Sequence, residues 1–291
     1  MTTTLDPKTI DTRAGATATI APAFERERLG HRVTQWAVMK SEWIKLRSVR
    51  SNLIGIAAAA VVLVLLGTLF AALGDSGQGP GGAGGPGGAA SDSFSLIFGG
   101  INLSQLVIGV LGALFVASEY TSGLIRTMFA AVGRRTLVLR AKAMVFGGVT
   151  WLAMTAGAFA AFFAGTAVYR GSFATYAIGD PGVLRAVLAV GFYGCCVALI
   201  GIALGFLLRS TASAIGVLVG LLLLAPVLVG LLPGSLGDTL TEILPSKAGD
   251  AMMSVTSPDT LLSPGLGFLV LVVWVVALLG AAAATLRRRD A

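Results

Sequence analysis

Apolar runs long enough to cross a lipid bilayer recur six times along this 291-residue chain, separated by shorter polar segments. They cover 53–73, 94–117, 144–168, 183–208, 212–232 and 264–286. A helix rises about 1.5 Å per residue, so about 20 residues cross a hydrocarbon core of about 30 Å. Each run meets that length. The pattern predicts an all-α integral membrane protein with six transmembrane helices over 53–286. Ahead of them, Val33, Trp36, Ala37, Met39, Trp43, Ile44 and Leu46 recur at helical spacing, interleaved with Arg32, Lys40, Lys45, Arg47 and Arg50. This predicts an amphipathic lead-in helix within 32–52, tryptophans on one side and cations on the other. Such a helix lies flat at the lipid headgroups or packs on a soluble partner. Residues 1–31 are rich in Thr, Ala and charge. That composition predicts a disordered leader with no signal peptide.

The polar connections differ in kind. After the second run, Thr121 and Ser122 can start a helix, and Leu124, Ile125, Met128, Phe129 and Val132 form a helical stripe that Gly133 can end. Arg126, Arg134 and Arg135 surround it. A short helix with an apolar ridge and a basic rim can dock into a groove on another protein, or lie on the membrane surface. Residues 74–93 are Gly-rich and make a linker lacking the phosphate-loop pattern. The stretch 233–263, broken by Pro233, Pro245 and Pro258, suits short helices at the opposite surface.

Charge supplies the orientation. With both termini in the cytoplasm, 18 of the 21 Lys and Arg fall on the cytoplasmic side, leaving only Arg170, Arg185 and Lys247 outside. Basic residues are held back from translocation, so this asymmetry predicts a multi-pass plasma-membrane protein with a cytoplasmic basic tail at 287–291. The net charge of +7 is then a consequence of topology. It is spread over four cytoplasmic pieces, which argues against nucleic acid as a partner.

Candidate chemistry is sparse. Cys195 and Cys196 are adjacent within a span, and His31 is the single histidine. That excludes a disulfide framework, His-based metal clusters and a Ser–His dyad. No acid lies mid-membrane; Glu119 and Arg185 stand at span ends, where snorkelling is cheap. Asn102, Ser104 and Gln105 cluster on the second span. They are candidates for lining a translocation path and equally for interhelical hydrogen bonds worth about 0.6 kcal/mol each. Gly201 with Gly205, and Gly216 with Gly220, are small-xxx-small pairs that permit close helix approach, and Pro226 predicts a kink in the fifth span.

Three segments resemble a known family. Ser41-Glu42-Trp43-Ile44-Lys45-Leu46-Arg47-Ser48, Ser118-Glu119-Tyr120-Thr121-Ser122-Gly123-Leu124-Ile125-Arg126-Thr127 and Leu244-Pro245-Ser246-Lys247-Ala248-Gly249 are similar, in order and placement, to bacterial ABC-2-type transporter permeases. The resemblance covers about 35–289. It implies the permease subunit of an ATP-driven exporter, not itself an enzyme, acting as a homodimer or as a heterodimer with a second permease. ATP and Mg would be bound by a separate ABC ATP-binding subunit, and no cofactor by this chain. It further implies a coupling role for Glu119, Gly123, Leu124, Ile125, Arg126, Met128 and Phe129. The lead-in residues Trp36, Glu42, Trp43, Lys45 and Arg47 would carry motion along the membrane plane. Asn102, Ser104 and Gln105 would border the path. A secondary transporter, a membrane-embedded enzyme and a non-transporting scaffold or sensor of the same fold are the rival expectations.

Overall fold

The computed structural model describes residues 34–73, 93–132, 135–170, 175–232, 235–255 and 262–288. The expected leader at 1–31, the Gly-rich linker and the last residues of the basic tail lie outside them. The described residues are helical, with no strand among them. Helix α1 (Gln35–Ser48) precedes the first span, α2 (Arg50–Leu73). A short α3 (Ser93–Ile97) leads into α4 (Ile101–Thr121), the small α5 (Leu124–Val132) and the long α6 (Arg135–Val168). Then come α7 (Val183–Leu208), α8 (Thr211–Val219), a π-turn over Gly220–Leu224, and α9 (Ala225–Gly230). Two short helices, α10 (Ser235–Ile243) and α11 (Pro245–Met253), precede α12 (Pro264–Arg288). Among the described residues, α2, α4, α6, α7, the α8–α9 unit and α12 are the six helices long and apolar enough to cross a membrane. This is the architecture of a multi-pass membrane protein.

Burial sorts the spans. The apolar window of α7 is 78% buried, against 17% for α8–α9 and 22% for α2 and α12. Helix α7 is therefore the axis of the bundle, packed against α4, α6, α8 and α12. Lipid tails are as apolar as leucine, so what draws such helices together is close packing made possible by small residues. At the α4–α7 crossing a Cβ added to Gly201 would sit 2.2 Å from the Gly109 carbonyl oxygen, and one added to Gly112 would sit 2.4 Å from that of Ala198. Neither helix backbone can yield that space cheaply. The other small-residue pair behaves differently: Gly216 and Gly220 have nothing within 4 Å of an added Cβ. The same spacing thus marks a tight crossing in one place and an open face in another.

Three boundaries depart from the sequence pattern. The apolar run at 94–117 is broken at Gly99-Gly100, where a Cβ on Gly100 would fall 2.8 Å from the Leu63 carbonyl oxygen. The chain folds α3 against α2 there before α4 begins. Helix α6 starts nine residues ahead of the expected third span. Its first turns are covered by α1, so Val138, Leu139, Ala141 and Lys142 are buried instead of forming a loop. The kink expected at Pro226 takes the form of the π-turn just before it. The Ala225 N–H donates to the Gly220 carbonyl, five residues back, easing the register where proline offers no donor.

Overpacking at a backbone contact costs about 1–3 kcal/mol. Gly201→Ala is therefore expected to lower the thermal unfolding midpoint of the detergent-purified protein. Gly216→Ala should leave it unchanged or slightly raised, since helical alanine outranks glycine by about 1 kcal/mol. Equal midpoints for the two variants would refute the tight crossing.

Candidate functional site

At the end of the bundle where α1 meets the start of α6 and the end of α4, four charged side chains converge. Lys142 Nζ donates to Glu42 Oε2 at 2.9 Å and to Glu119 Oε1 at 2.7 Å. Lys45 Nζ also donates to Glu119 Oε1, and it lies 3.6 Å from Met128 Sδ on α5. Lys142 is fully buried, with its ammonium 4.5 Å from the centroid of the Phe115 ring. Glu42 and Glu119 are buried too, while Lys45 is half-buried.

Local structure explains how they meet. On α1 a helical step of 100° per residue puts Val38, Glu42, Lys45 and Leu46 on one side, and Val38, Glu42 and Leu46 are buried against the bundle. Trp36, Lys40, Trp43, Ile44 and Arg47 share the exposed side. Tryptophans and cations thus lie together on the outward face, not on opposite faces as the sequence suggested. Glu119 stands in the last turn of α4, and Lys142 two turns into α6. Glu119 does not snorkel. It is held inward by Lys142 and Lys45.

The four formal charges cancel, which is what makes their burial tolerable. Removing one partner from a buried ion pair typically costs about 3–5 kcal/mol, because the surviving charge stays stranded in low dielectric. Among the described residues Glu42 Oε1 and Glu119 Oε2 have no hydrogen-bond partner, so there the network is held by its lysines.

The remaining candidates sort around this cluster. Gly123, with φ +73°, turns the chain from α4 into α5, a conformation that favours glycine. On α5, Ile125 and Phe129 are buried within the chain, and Arg135 lies 5.7 Å from the centroid of the Phe129 ring. Leu124 and Thr127 are exposed and Met128 is half-buried, so the ridge open to a partner is narrower than the full stripe. The Arg126 side chain and Arg134 lie outside the described residues.

Of the proposed lining residues, Ser104 is buried and donates to the Ala59 carbonyl of α2 at 2.7 Å. Gln105 is buried and accepts from the Tyr193 hydroxyl of α7. Its amide donates to Asn102 Oδ1 at 3.5 Å, and Asn102 itself is exposed. Ser104 and Gln105 therefore fasten α4 to its neighbours, and only Asn102 keeps an open side. Tyr193 also reaches the segment around Lys247, since a Cβ added to Gly249 would lie 2.3 Å from its ring. Arg185 closes the far end of α11, donating to the carbonyls of Met252 at 2.8 Å and Ser254 at 2.7 Å. Trp274 Nε1 donates to the Ile243 carbonyl of α10 at 2.9 Å.

The Glu42–Lys142 pairing is not evident from the apolar pattern, which places Lys142 in the connection ahead of the expected third span. A signal was present: from residue 34 to 73 the only acid is Glu42, and from 93 to 143 it is Glu119. A lone acid in an otherwise basic segment needs a partner if it is buried.

A scan against protein-family models finds no match, and a comparison with curated proteins finds none either.

The network makes a signed prediction. Lys142→Met strands two carboxylates against one lysine and should destabilise the protein by about 3–5 kcal/mol. Adding Glu42→Gln leaves the neutral Lys45–Glu119 pair and should recover much of that loss. Denaturant unfolding of the single and double variants measures both, and a double variant no more stable than the single one would refute charge balance as the controlling factor.

Proposed function

We propose that this chain is the permease subunit of an ATP-driven exporter, pairing with a second permease and with separate ATP-binding subunits. The reading begins from the resemblance at 41–48, 118–127 and 244–249. One observation supports it above others: the first two of these segments, far apart in sequence, meet through Lys45, Lys142, Glu42 and Glu119. Lys45 additionally touches Met128 on α5. The small helix a partner would push thereby touches, through the Lys45–Met128 contact, the helix that leads into the first span, and that same lysine belongs to the ion-pair network.

In this reading the basic end of the bundle faces the cytoplasm, which the distribution of Lys and Arg supports. An ATP-binding subunit seats on the exposed side of α5, around Leu124 and Thr127. Closure of the nucleotide subunits displaces α5. The ion-pair network passes that displacement to α1 and to the ends of α4 and α6 together. Chemistry stays in the partner, which binds ATP and Mg. The permease contributes the path and the lever.

A secondary transporter fits less well. Ion or proton coupling draws on charged groups near the bilayer midplane. Here Glu119 and Lys142 lie near one end of their helices, Arg185 stands at the start of α7, and α8–α9 carries no charge at all.

The test is co-expression with a candidate ABC ATP-binding subunit from the same genome. The two should co-purify, and Leu124→Asp, at an exposed position, should weaken the association tenfold or more if it removes a hot spot worth about 2 kcal/mol. Phe129→Asp is the wrong probe, because its side chain is buried and the variant would fail by misfolding. A folded Leu124→Asp protein that retains its ATPase would overturn the docking role.

A further inference from the structure

The exporter reading gives the lead-in helix a mechanical role and assigns no ligand to the outward face of α1. Trp36, Lys40, Trp43, Arg47 and, past the break at Val49, Arg50 follow one another along it at helical spacing, all exposed. Lys40, Arg47 and Arg50 have no acidic partner among the described residues. The single acid of α1, Glu42, is turned inward and neutralised by Lys142. The internal ion pair therefore leaves the external face purely cationic.

This face is shaped as well as charged. Where α1 ends and α2 begins, Trp43, Ile44, Arg47, Ser48 and Arg50 line an open groove of about 580 Å³. The two guanidiniums flank it with no acidic partner among the described residues. The N-terminus of the 24-residue α2 begins at the groove, and the positive end of its helix dipole adds the same sign there. Farther along, Val49 and Ile54 expose apolar surface beside the charges.

We propose that this groove binds the headgroup of an anionic phospholipid of the leaflet at the basic end of the bundle. The phosphate sits between Arg47 and Arg50, the Trp43 ring lies at the level of the glycerol and ester groups, and the acyl chains run over Val49 and Ile54. Arg supplies paired donors that suit phosphate oxygens, and tryptophan favours the headgroup region. An acidic protein segment would satisfy the cations. It would leave the adjoining apolar strip at the mouth of a membrane span uncovered, which is why a lipid is the better occupant. The inference stands whether or not the chain transports anything.

Native mass spectrometry of the full chain in detergent, with equimolar phosphatidylglycerol and phosphatidylcholine added, tests it. The wild type should retain phosphatidylglycerol in excess. Arg47→Gln with Arg50→Gln should reduce that excess by roughly an order of magnitude, while Arg287→Gln with Arg288→Gln keeps it. Equal retention of the two lipids by the wild type, or an undiminished excess in the Arg47/Arg50 variant, overturns the proposal. A variant with unchanged lipid retention that instead loses a co-purifying protein overturns it in favour of an acidic protein partner. A second measurement needs no arginine variant. In mixed vesicles, chain-brominated phosphatidylglycerol should quench the fluorescence that Trp43→Phe removes more strongly than brominated phosphatidylcholine does, and equal quenching would sink the site.

Discussion

Charge in this protein has only two inexpensive places to be: in water, or against an opposite charge. Hydrocarbon solvates neither lysine nor glutamate, and an unpaired charge at the centre of a span costs about 2.5–3.5 kcal/mol on insertion scales. The structure obeys that constraint by two means at once. Most cations stand at helix ends and in the connections. The exceptions, Glu42, Glu119 and Lys142, are buried beside one another with Lys45 completing the balance. Because Lys142 is shared between two carboxylates from different helices, α1, α4 and α6 are held at one point.

That point has a consequence for the helix outside the bundle. A helix rich in tryptophan and cations has no single obvious orientation, since both kinds of side chain favour the headgroup region. Here the one acid decides. Pairing Glu42 with Lys142 fixes which side of α1 faces inward, and the remaining aromatic and cationic residues are left together on the outside. The buried ion pair thus sets the rotation of α1 and, through it, the sign of the exposed surface.

Packing inside the spans rests on a different currency. The contact between α4 and α7 depends on the absence of side chains at Gly112 and Gly201, where carbonyl oxygens of the facing helix occupy the space a Cβ would need. Ser104 to Ala59 and Tyr193 to Gln105 add hydrogen bonds that have no water to compete with them. Helix α7 ends buried on most sides, whereas α2, α8–α9 and α12 keep broad apolar faces outward.

Six spans, their approximate limits, the helical lead-in and the short helix after the second span were all legible in the sequence, because hydropathy and periodicity are local properties of consecutive residues. The fourth span coincided with its apolar run, Val183 to Leu208. What local pattern could not supply was which face of each helix is covered. Gly201 and Gly216 look alike in sequence, yet only one meets a neighbour's backbone. Phe129 looked like part of a docking ridge and is buried, while Leu124 beside it is open. Lys142 falls outside the apolar runs and is the most enclosed charge described. The chain by itself determined how many helices suit a bilayer and where charge is concentrated. Only the tertiary structure decided which charges are paired and which glycines are crossings, because those depend on residues a hundred positions apart reaching within 3 Å of one another.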